Sequence, residues 1–350
     1  MDDSALGERL GARTLELVDL PSESFAEGPA SSLVAGILRA GGAEVLALGD
    51  DCLLARPAGT RPRALLAGHL DTVPAQDNLP GTRDGRAVHG LGASDMKSGL
   101  AVAIELVLAG VPVAALFFPR EELPFADTAL TPLLARAPEV LDHDVAIVME
   151  PTDCALQAGC LGNVNASWDF AGVAGHSARP WLADNAIERA AAGIAALAAQ
   201  PPNPVTFDGL EFVEVATVTR IAGGVAGNVI PDRVQTWLNY RYAPGRTAAA
   251  AEARLVELCA GHGDVAVTAN APSGTVHVSH PEVARLIEVG SLAVEPKQAW
   301  TPVAELTAAG MPAVNFGPGL PAQAHRRDEQ VPVANLVRAY RVLEAWASSR

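Results

Sequence analysis

The sequence predicts an α/β protein in which a central, largely parallel sheet is interrupted by an inserted α+β domain. Over the first 150 residues, short apolar runs alternate with helical patterns, and this alternation is typical of a parallel sheet flanked by helices. After Pro151 the runs become longer and alternate polar with apolar positions, as antiparallel strands with one covered face do. From His280 the first pattern returns. We therefore expect one α/β domain in two parts, residues 1–161 and 274–350, around an insertion at residues 162–273.

The first part of the α/β domain begins with two predicted helices. Apolar residues from Leu6 to Val18 recur at helical spacing, and Pro21 ends this helix. A second helix is predicted at residues 31–39, ahead of a glycine pair. Strands and helices then alternate along the chain, with strands at residues 44–48, 52–55, 64–67, 113–118 and 145–149 and helices at residues 97–109 and 127–136.

The inserted domain is expected to consist of antiparallel strands with helices on one face. Its strands are predicted at residues 163–170, 212–221 and 234–242, and its helices at residues 185–199 and 247–261. After the insertion, the pattern predicts a helix from His280, a strand at residues 313–316, a Gly-Pro-Gly loop and a final helix at residues 333–348.

The composition describes a globular protein and argues against two classes of partner. The 350 residues are 49% hydrophobic and 19% charged, which allows a sizeable core and more than one domain. The net charge of −15 argues against nucleic acid and anionic membranes as partners, because their phosphates would repel this surface.

The predicted compartment is the cytoplasm. Four cysteines are scattered without a C-x-x-C pair, so we expect reduced thiols instead of disulfides. The acidic start leads into an amphipathic helix, which does not fit a signal peptide. The longest apolar run, residues 190–199, is too short to span a bilayer.

Acids and histidines follow several predicted strands. His69 and Asp71 follow the strand at residues 64–67, and further candidates at strand ends or in a glycine-rich loop are Asp95, Glu121, Glu122, Glu150 and His325. Ligands bind at the carboxyl ends of strands in open α/β sheets, and these residue types are the ones that divalent metals prefer. Each residue alone has an ordinary explanation as a core histidine, a solvated glutamate or a helix-capping aspartate. Together they predict a metal site.

Seven short segments, taken in order, resemble the zinc aminoacylase and carboxypeptidase family of metallopeptidases. The resemblance is closest to the succinyl-diaminopimelate desuccinylases and runs from about Leu6 to the last helix. The segments are GHLDTVP at residues 68–74, GASDMK at 92–97, EE at 121–122, EPT at 150–152, GHSARP at 175–180, GNVIP at 227–231 and AH at 324–325.

The resemblance implies a site for two zinc ions, with cobalt or manganese left open as the metal in the cell. Asp95 would bridge the two metals. His69 and Glu150 would complete the ligand set of one metal, and Glu122 and His325 that of the other. Three protein ligands per metal leave a position for water, which the metals would activate.

The resemblance also assigns roles beside the metals. Glu121 would be the general base that passes a proton to the leaving nitrogen. Asp71 would orient the imidazole of His69. The peptide bond between Asp95 and Met96 is expected to be cis.

By the same resemblance, the inserted domain is a lid and dimerisation domain. His176 would reach the site of a neighbouring subunit and stabilise the oxyanion, which implies a homodimer. Asn228 and Arg241 would bind substrate, with Arg241 suited to a carboxylate. Without the resemblance, the three residues would be interpreted as a turn histidine, a loop asparagine and a strand-edge arginine.

Four positions depart from the pattern of the desuccinylases. Pro302 and Glu305 stand where an aspartate and an arginine are expected, and Leu320 stands where an acid is usual. Arg120 replaces a small or acidic residue. Because an anion in place of a cation reverses the local charge, we predict that Glu305 contacts the substrate and that substrate choice has changed. The alternative is neutral drift.

The predicted function is metal-dependent removal of an N-acyl group, succinyl-like or altered, from an amino acid. The predicted partner is therefore a small N-acyl amino acid. Two alternatives stay open, a dipeptidase or carboxypeptidase of the same family and a non-catalytic relic of the fold. A serine hydrolase is disfavoured because the chain has no G-x-S-x-G segment.

Overall fold

The structure, a computed structural model, describes residues 1–349 of the chain. In this part the α-helices are α1 (Asp3–Val18), α2 (Gly28–Ala40), α3 (Ser98–Leu108), α4 (Leu130–Arg136), α5 (Ala186–Ala198), α6 (Ala248–Leu258), α7 (Pro281–Gly290), α8 (Val303–Ala308) and α9 (Val333–Ser348). The strands are β1 (Glu44–Gly49), β2 (Cys52–Arg56), β3 (Ala64–His69), β4 (Thr82–Arg83), β5 (Ala87–His89), β6 (Ala114–Phe118), β7 (Val145–Val148), β8 (Leu156–Ala158), β9 (Gly162–Ala171), β10 (Gly175–His176), β11 (Asn203–Phe207), β12 (Leu210–Gly223), β13 (Val229–Ile230), β14 (Arg233–Tyr242), β15 (Asp264–Ala271), β16 (Val294–Pro296), β17 (Ala313–Asn315) and β18 (Gln330–Pro332).

A central sheet of eight strands has the order β1-β2-β6-β3-β7-β17-β8-β16. Its four middle strands, from β6 to β17, pair in parallel. Every residue of β3, β6 and β7 is buried, as apolar strands covered on both faces should be. This sheet confirms the predicted α/β class. Because the middle strands are parallel, their carboxyl ends lie at one edge.

The residues 160–274 form the main part of a second compact unit, which also contains residues 298–300. Its five-stranded sheet has the order β11-β12-β14-β9-β15, and all neighbours are antiparallel. Buried and part-exposed positions alternate along β9 and β14. The buried face carries Trp168, Phe170 and Tyr240 and packs against residues of α5 and α6. A separate antiparallel sheet with helices on one face was predicted and is confirmed.

All four cysteines are buried, and none of them forms a disulfide. Among residues 1–349, no helix has the length and apolar character needed to cross a membrane.

Candidate metal centre

The predicted metal-ligating residues come together at the carboxyl edge of the central sheet. His69 is the last residue of β3, and Glu150 follows β7. The Nε2 atom of His69 lies 3.3 Å from Oδ1 of Asp95 and 3.8 Å from Oε1 of Glu150. The Nε2 atom of His325 lies 3.0 Å from Oε1 of Glu122. These residues are far apart in the sequence, and parallel strand topology explains why they meet.

Asp95 occupies the centre of this cluster. Its Oδ1 atom faces His69, and its Oδ2 atom lies 3.5 Å from Nε2 of His325. Two groups of potential ligand atoms share this carboxylate, one with His69 and Glu150 and one with Glu122 and His325. Asp95 is therefore placed so that one oxygen could serve each of two neighbouring cations.

The backbone of the segment Ala93–Lys97 departs from helical geometry where Asp95 projects into the cluster. Asp95 has φ −117° and ψ 91°, and Met96 has φ −134° and ψ 33°. The peptide bond between them is cis, as predicted. Regular helix geometry resumes in α3, which begins at Ser98 and is buried along most of its length.

Asp71 holds the backbone of the glutamate pair. Its Oδ1 and Oδ2 atoms accept the N–H groups of Glu121 and Glu122, each at 3.0 Å. Its Oδ2 atom also accepts the hydroxyl of Ser24 at 2.8 Å. The Nδ1 atom of His69 lies closer to the backbone carbonyl of Asp71, at 2.9 Å, than to its carboxylate, at 3.5 Å. The sequence pattern did not indicate the contacts with the glutamate amides. The orienting role toward His69 stays a prediction.

The pKa shifts show how burial and charge act on the cluster. Burial raises the pKa of Glu121 well above its usual value, and the charge of Glu150 adds to the shift. Burial and the charge of Asp95 raise the pKa of Glu150 to about 7. For Asp95, burial favours a higher pKa, but hydrogen bonds with His325 and His69 outweigh it and hold the pKa below its usual value. The hydrogen bond with Asp95 raises the pKa of His325 to about 11. The carboxylates of the cluster therefore stabilise a positive charge that lies between them.

The chemistry of the donor atoms fits a divalent cation. The Oε1 atom of Glu150 is buried and has no hydrogen-bond partner among the described residues. A buried acceptor of this kind is costly unless a donor or a cation satisfies it. Imidazole nitrogens and carboxylate oxygens are ligands of zinc and also of cobalt and manganese. A third group of potential ligand atoms joins His69 with Glu121 and Glu122, so Glu121 borders both proposed cation positions.

Three further predicted site residues lie in the second unit. His176 is exposed on β10, and its Nδ1 atom accepts the N–H of Ala178 at 3.1 Å. Asn228 is also exposed, in the turn before β13. Arg241 lies on β14, donates from Nε to Oδ1 of Asn239 at 2.9 Å, and has its pKa lowered by burial. Their roles toward substrate stay predictions.

Glu305 has a structural role that the sequence pattern did not indicate. It is only 4% exposed, and its Oε1 atom accepts the hydroxyl of Thr128 at 3.1 Å. The same atom accepts the N–H of Thr131 at 2.9 Å and its hydroxyl at 2.6 Å. Because Thr131 lies in the first turn of α4, the carboxylate caps this helix. The predicted contact between Glu305 and substrate stays a prediction.

The other unusual positions also contact groups of the protein itself. The guanidinium of Arg120 pairs with Asp50 and lies over the ring of Phe25, 5.9 Å from its centroid. The N–H of Leu320 donates to Oγ of Ser94 at 2.9 Å. Pro302 directly precedes α8. The contacts of Arg120 account for its side chain without a substrate, whereas nothing among the described residues explains why leucine and proline stand at positions 320 and 302.

We expect Glu305→Arg to lower the free energy of unfolding by about 2–3 kcal/mol. The guanidinium carries donors only, and Thr128 and Thr131 present donors at this place. Urea unfolding of the wild type and the variant, followed by circular dichroism, measures the difference. Glu305→Gln is the matched control, because its amide oxygen still accepts; it should unfold within about 1 kcal/mol of the wild type. Equal unfolding midpoints for Glu305→Arg and the wild type would contradict the capping role.

A family model and several proteins of known sequence match this chain. Residues 65–349 match the model described as Peptidase family M20/M25/M40. A Mycobacterium tuberculosis protein assigned to the succinyl-diaminopimelate desuccinylases is 39% identical over 340 residues, covering 95% of this chain and 96% of that protein. The succinyl-diaminopimelate desuccinylase of Corynebacterium glutamicum is 35% identical over 350 residues, covering 96% of this chain and 95% of the relative.

Solved structures share the fold at lower identity. A tripeptidase from Staphylococcus aureus superposes with a TM-score of 0.78 at 19% identity, with 98% of each chain covered. An aminopeptidase from Bacillus cereus has a TM-score of 0.75 at 20% identity, with 98% of this chain and 99% of that chain covered. At these identities the likeness shows the architecture alone.

Proposed function

The chain belongs to peptidase family M20/M25/M40, and we propose that it hydrolyses the amide bond of a small N-acyl amino acid. Membership makes it a metallohydrolase, and identities of 39% and 35% to the two relatives above make it desuccinylase-like. The observation that carries the finer proposal is the arrangement of Asp95, whose two carboxylate oxygens face the two histidines of the cluster separately. A carboxylate placed in this way would be a ligand that two cations share, which supports a centre for two metals.

The proposed ligand sets follow the two groups that share Asp95. His69 and Glu150 would hold one metal, and Glu122 and His325 the other. We propose zinc as the metal, and metal analysis of the purified protein distinguishes it from cobalt or manganese. When bound, such a metal pair polarises the scissile carbonyl and lowers the pKa of water.

Glu121 is proposed as the group that moves the proton. The N–H of its own backbone is fixed by Asp71, so the carboxylate is held close to His69 and Glu122. Burial raises its pKa, which increases its affinity for a proton taken from water. The same proton is then available to the nitrogen that leaves when the amide breaks.

Substrate binding is proposed to involve the second unit. Arg241 would pair with the carboxylate of the amino acid, Asn228 would donate to the substrate, and His176 of a neighbouring subunit would stabilise the oxyanion in a homodimer. Support for these roles comes from the resemblance of the segments that contain His176 and Asn228. We propose a reducing cytoplasm as the compartment, since the four buried cysteines form no disulfide.

Hydrolysis of a substrate panel tests the proposal. The purified protein, loaded with zinc, is offered succinyl-diaminopimelate, other N-succinyl and N-acetyl amino acids, and dipeptides. We expect kcat/KM for at least one N-acyl amino acid to exceed that for the dipeptides about tenfold or more. Preference for dipeptides would instead make the protein a dipeptidase. The rank of succinyl-diaminopimelate within the panel shows whether substrate choice has changed.

A further inference from the structure

A buried carboxylate outside the proposed ligand set is bonded to the loop that carries Asp95. Glu329 is only 2% exposed. Its Oε1 atom accepts the N–H of Ser94 at 2.8 Å and that of Asp95 itself at 2.9 Å. Its Oε2 atom accepts the N–H of Gly92 at 2.9 Å. One side chain thus satisfies three backbone donors of the loop.

These donors need a partner from outside their own segment. The backbone turns at Gly92, with φ 78°, and is non-helical at Asp95, so regular helix bonds cannot satisfy the three N–H groups. Gly92 and Ser94 are buried, which keeps water from taking the place of Glu329. A carboxylate that accepts several converging amides fixes their relative orientation, as in an anion-binding turn.

The same stretch of chain also supplies His325. Glu329 follows His325 by four residues and directly precedes β18, which pairs with β5 through Gln330 and His89. A further hydrogen bond links the two segments, because Oγ of Ser94 donates to the carbonyl of Gln330 at 2.7 Å. The loops that present Asp95 and His325 are therefore held together by direct hydrogen bonds.

Lys97 is a buried cation whose charge acts on this carboxylate. It is buried, and its Nζ atom donates to the carbonyl of Leu20 at 2.8 Å. Its charge interacts favourably with that of Glu329. Burial raises the pKa of Glu329 to about 7, and the positive charge of Lys97 opposes this shift. Both oxygens of Glu329 accept hydrogen bonds from the backbone.

We propose that Glu329 is a positioning residue that sets the bridging geometry of Asp95 relative to His325. This inference rests on the proposed two-metal site. It assigns to Glu329 no contact with a metal or with substrate. The carboxylate acts through the backbone of Asp95, so its loss should change how the metals are held before it changes anything else.

Zinc titration of the chelator-stripped full-length protein tests the inference. Glu329→Gln keeps the shape of the side chain but places an NH₂ donor against backbone donors. We expect its zinc affinity to fall about 10–100-fold, as for other residues that orient metal ligands. The absorption spectrum of the cobalt-loaded variant should also differ from that of the wild type, because the coordination geometry has changed. Glu329→Asp retains the charge but is shorter, and it should give a smaller loss.

Glu105→Gln is the matched control. Glu105 is an equally buried glutamate of the same unit, and it pairs with Arg9 and Arg13 of α1. This control should bind zinc within about twofold of the wild type. Far-UV circular dichroism of the metal-free proteins shows whether each variant is folded. If Glu329→Gln does not fold, the zinc affinity of Glu329→Asp tests the inference instead.

Two results would overturn the inference: unchanged zinc affinity and cobalt spectrum in the folded Glu329 variants, or an equal loss of affinity in Glu105→Gln. Metal binding is measured without substrate. A wild type that binds two metals but cleaves no N-acyl amino acid would therefore contradict the proposed function alone. Equal affinities of the wild type and Glu329→Gln would contradict the positioning role alone.

Discussion

Glu121→Gln is expected to lower kcat about 10²–10⁴-fold while leaving the metal content unchanged. The glutamine has nearly the same shape, and its backbone N–H still donates to Asp71, so the local fold is kept. Its amide cannot take up a proton at neutral pH, which removes the proposed step from water to the leaving nitrogen. Steady-state kinetics on the best N-acyl amino acid, together with metal analysis of the same sample, measures both quantities.

Glu122→Gln is the matched control for this prediction, because it changes the adjacent glutamate in the same way. The Oε1 atom of Glu122 lies 3.0 Å from Nε2 of His325, so this variant should lose affinity for one metal. Glu121 also belongs to a group of potential ligand atoms with His69 and Glu122. If Glu121→Gln lost a metal and Glu122→Gln retained both, the roles of base and ligand would have to be exchanged.

The sequence predicts the centre of the fold better than its edges. Strands β6 and β7 are apolar throughout, and β3 is apolar up to its last residue, His69, because both faces of these strands are covered. The edge strands β11 and β15 of the antiparallel sheet were not predicted. Most of their residues are exposed or half-buried, so they lack the strong alternation of β9 and β14. Edge strands are commonly less apolar, and pattern alone does not separate them from loops.

In the candidate site, too, the sequence predicts some features and misses others. Side chains at the ends of parallel strands can be placed together from sequence, since topology brings strand ends to one edge. Contacts between a side chain and a distant backbone cannot be predicted in this way. Glu329 stands in a run of charged residues with Arg326, Arg327 and Asp328, which is typical of a solvated loop. Those three are exposed in the structure, and Glu329 alone is buried.

Glu305 illustrates why a change of charge is hard to interpret from sequence. An anion in place of an expected cation predicted a change in the substrate pocket. In the structure its Oε1 atom accepts hydrogen bonds from Thr128 and Thr131, so the carboxylate satisfies hydrogen-bond donors of the protein itself. The hypothesis of altered substrate choice therefore rests on the resemblance to the desuccinylases and on the panel that tests it.

Asp95→Ala is expected to have the largest effect, a loss of activity of about four orders of magnitude or more. In the proposed site, removing this carboxylate would take one ligand from each metal and leave two protein ligands in each set. A bound metal contributes several kcal/mol to the stabilisation of the transition state, and every 1.36 kcal/mol is about a tenfold change in rate. Metal analysis after dialysis should show neither metal retained in the folded variant.

His325→Ala distinguishes a bridging Asp95 from an ordinary ligand. This variant removes a residue whose Nε2 atom lies near Oδ2 of Asp95 and Oε1 of Glu122, so the other proposed set, formed by His69, Asp95 and Glu150, would remain complete. We expect one metal per chain in His325→Ala and none in Asp95→Ala, with both variants folded by circular dichroism. If the two variants retained the same number of metals, Asp95 would not be shared. The bridging role inferred from its two oxygens would then be wrong, because the two oxygens would not serve different metals.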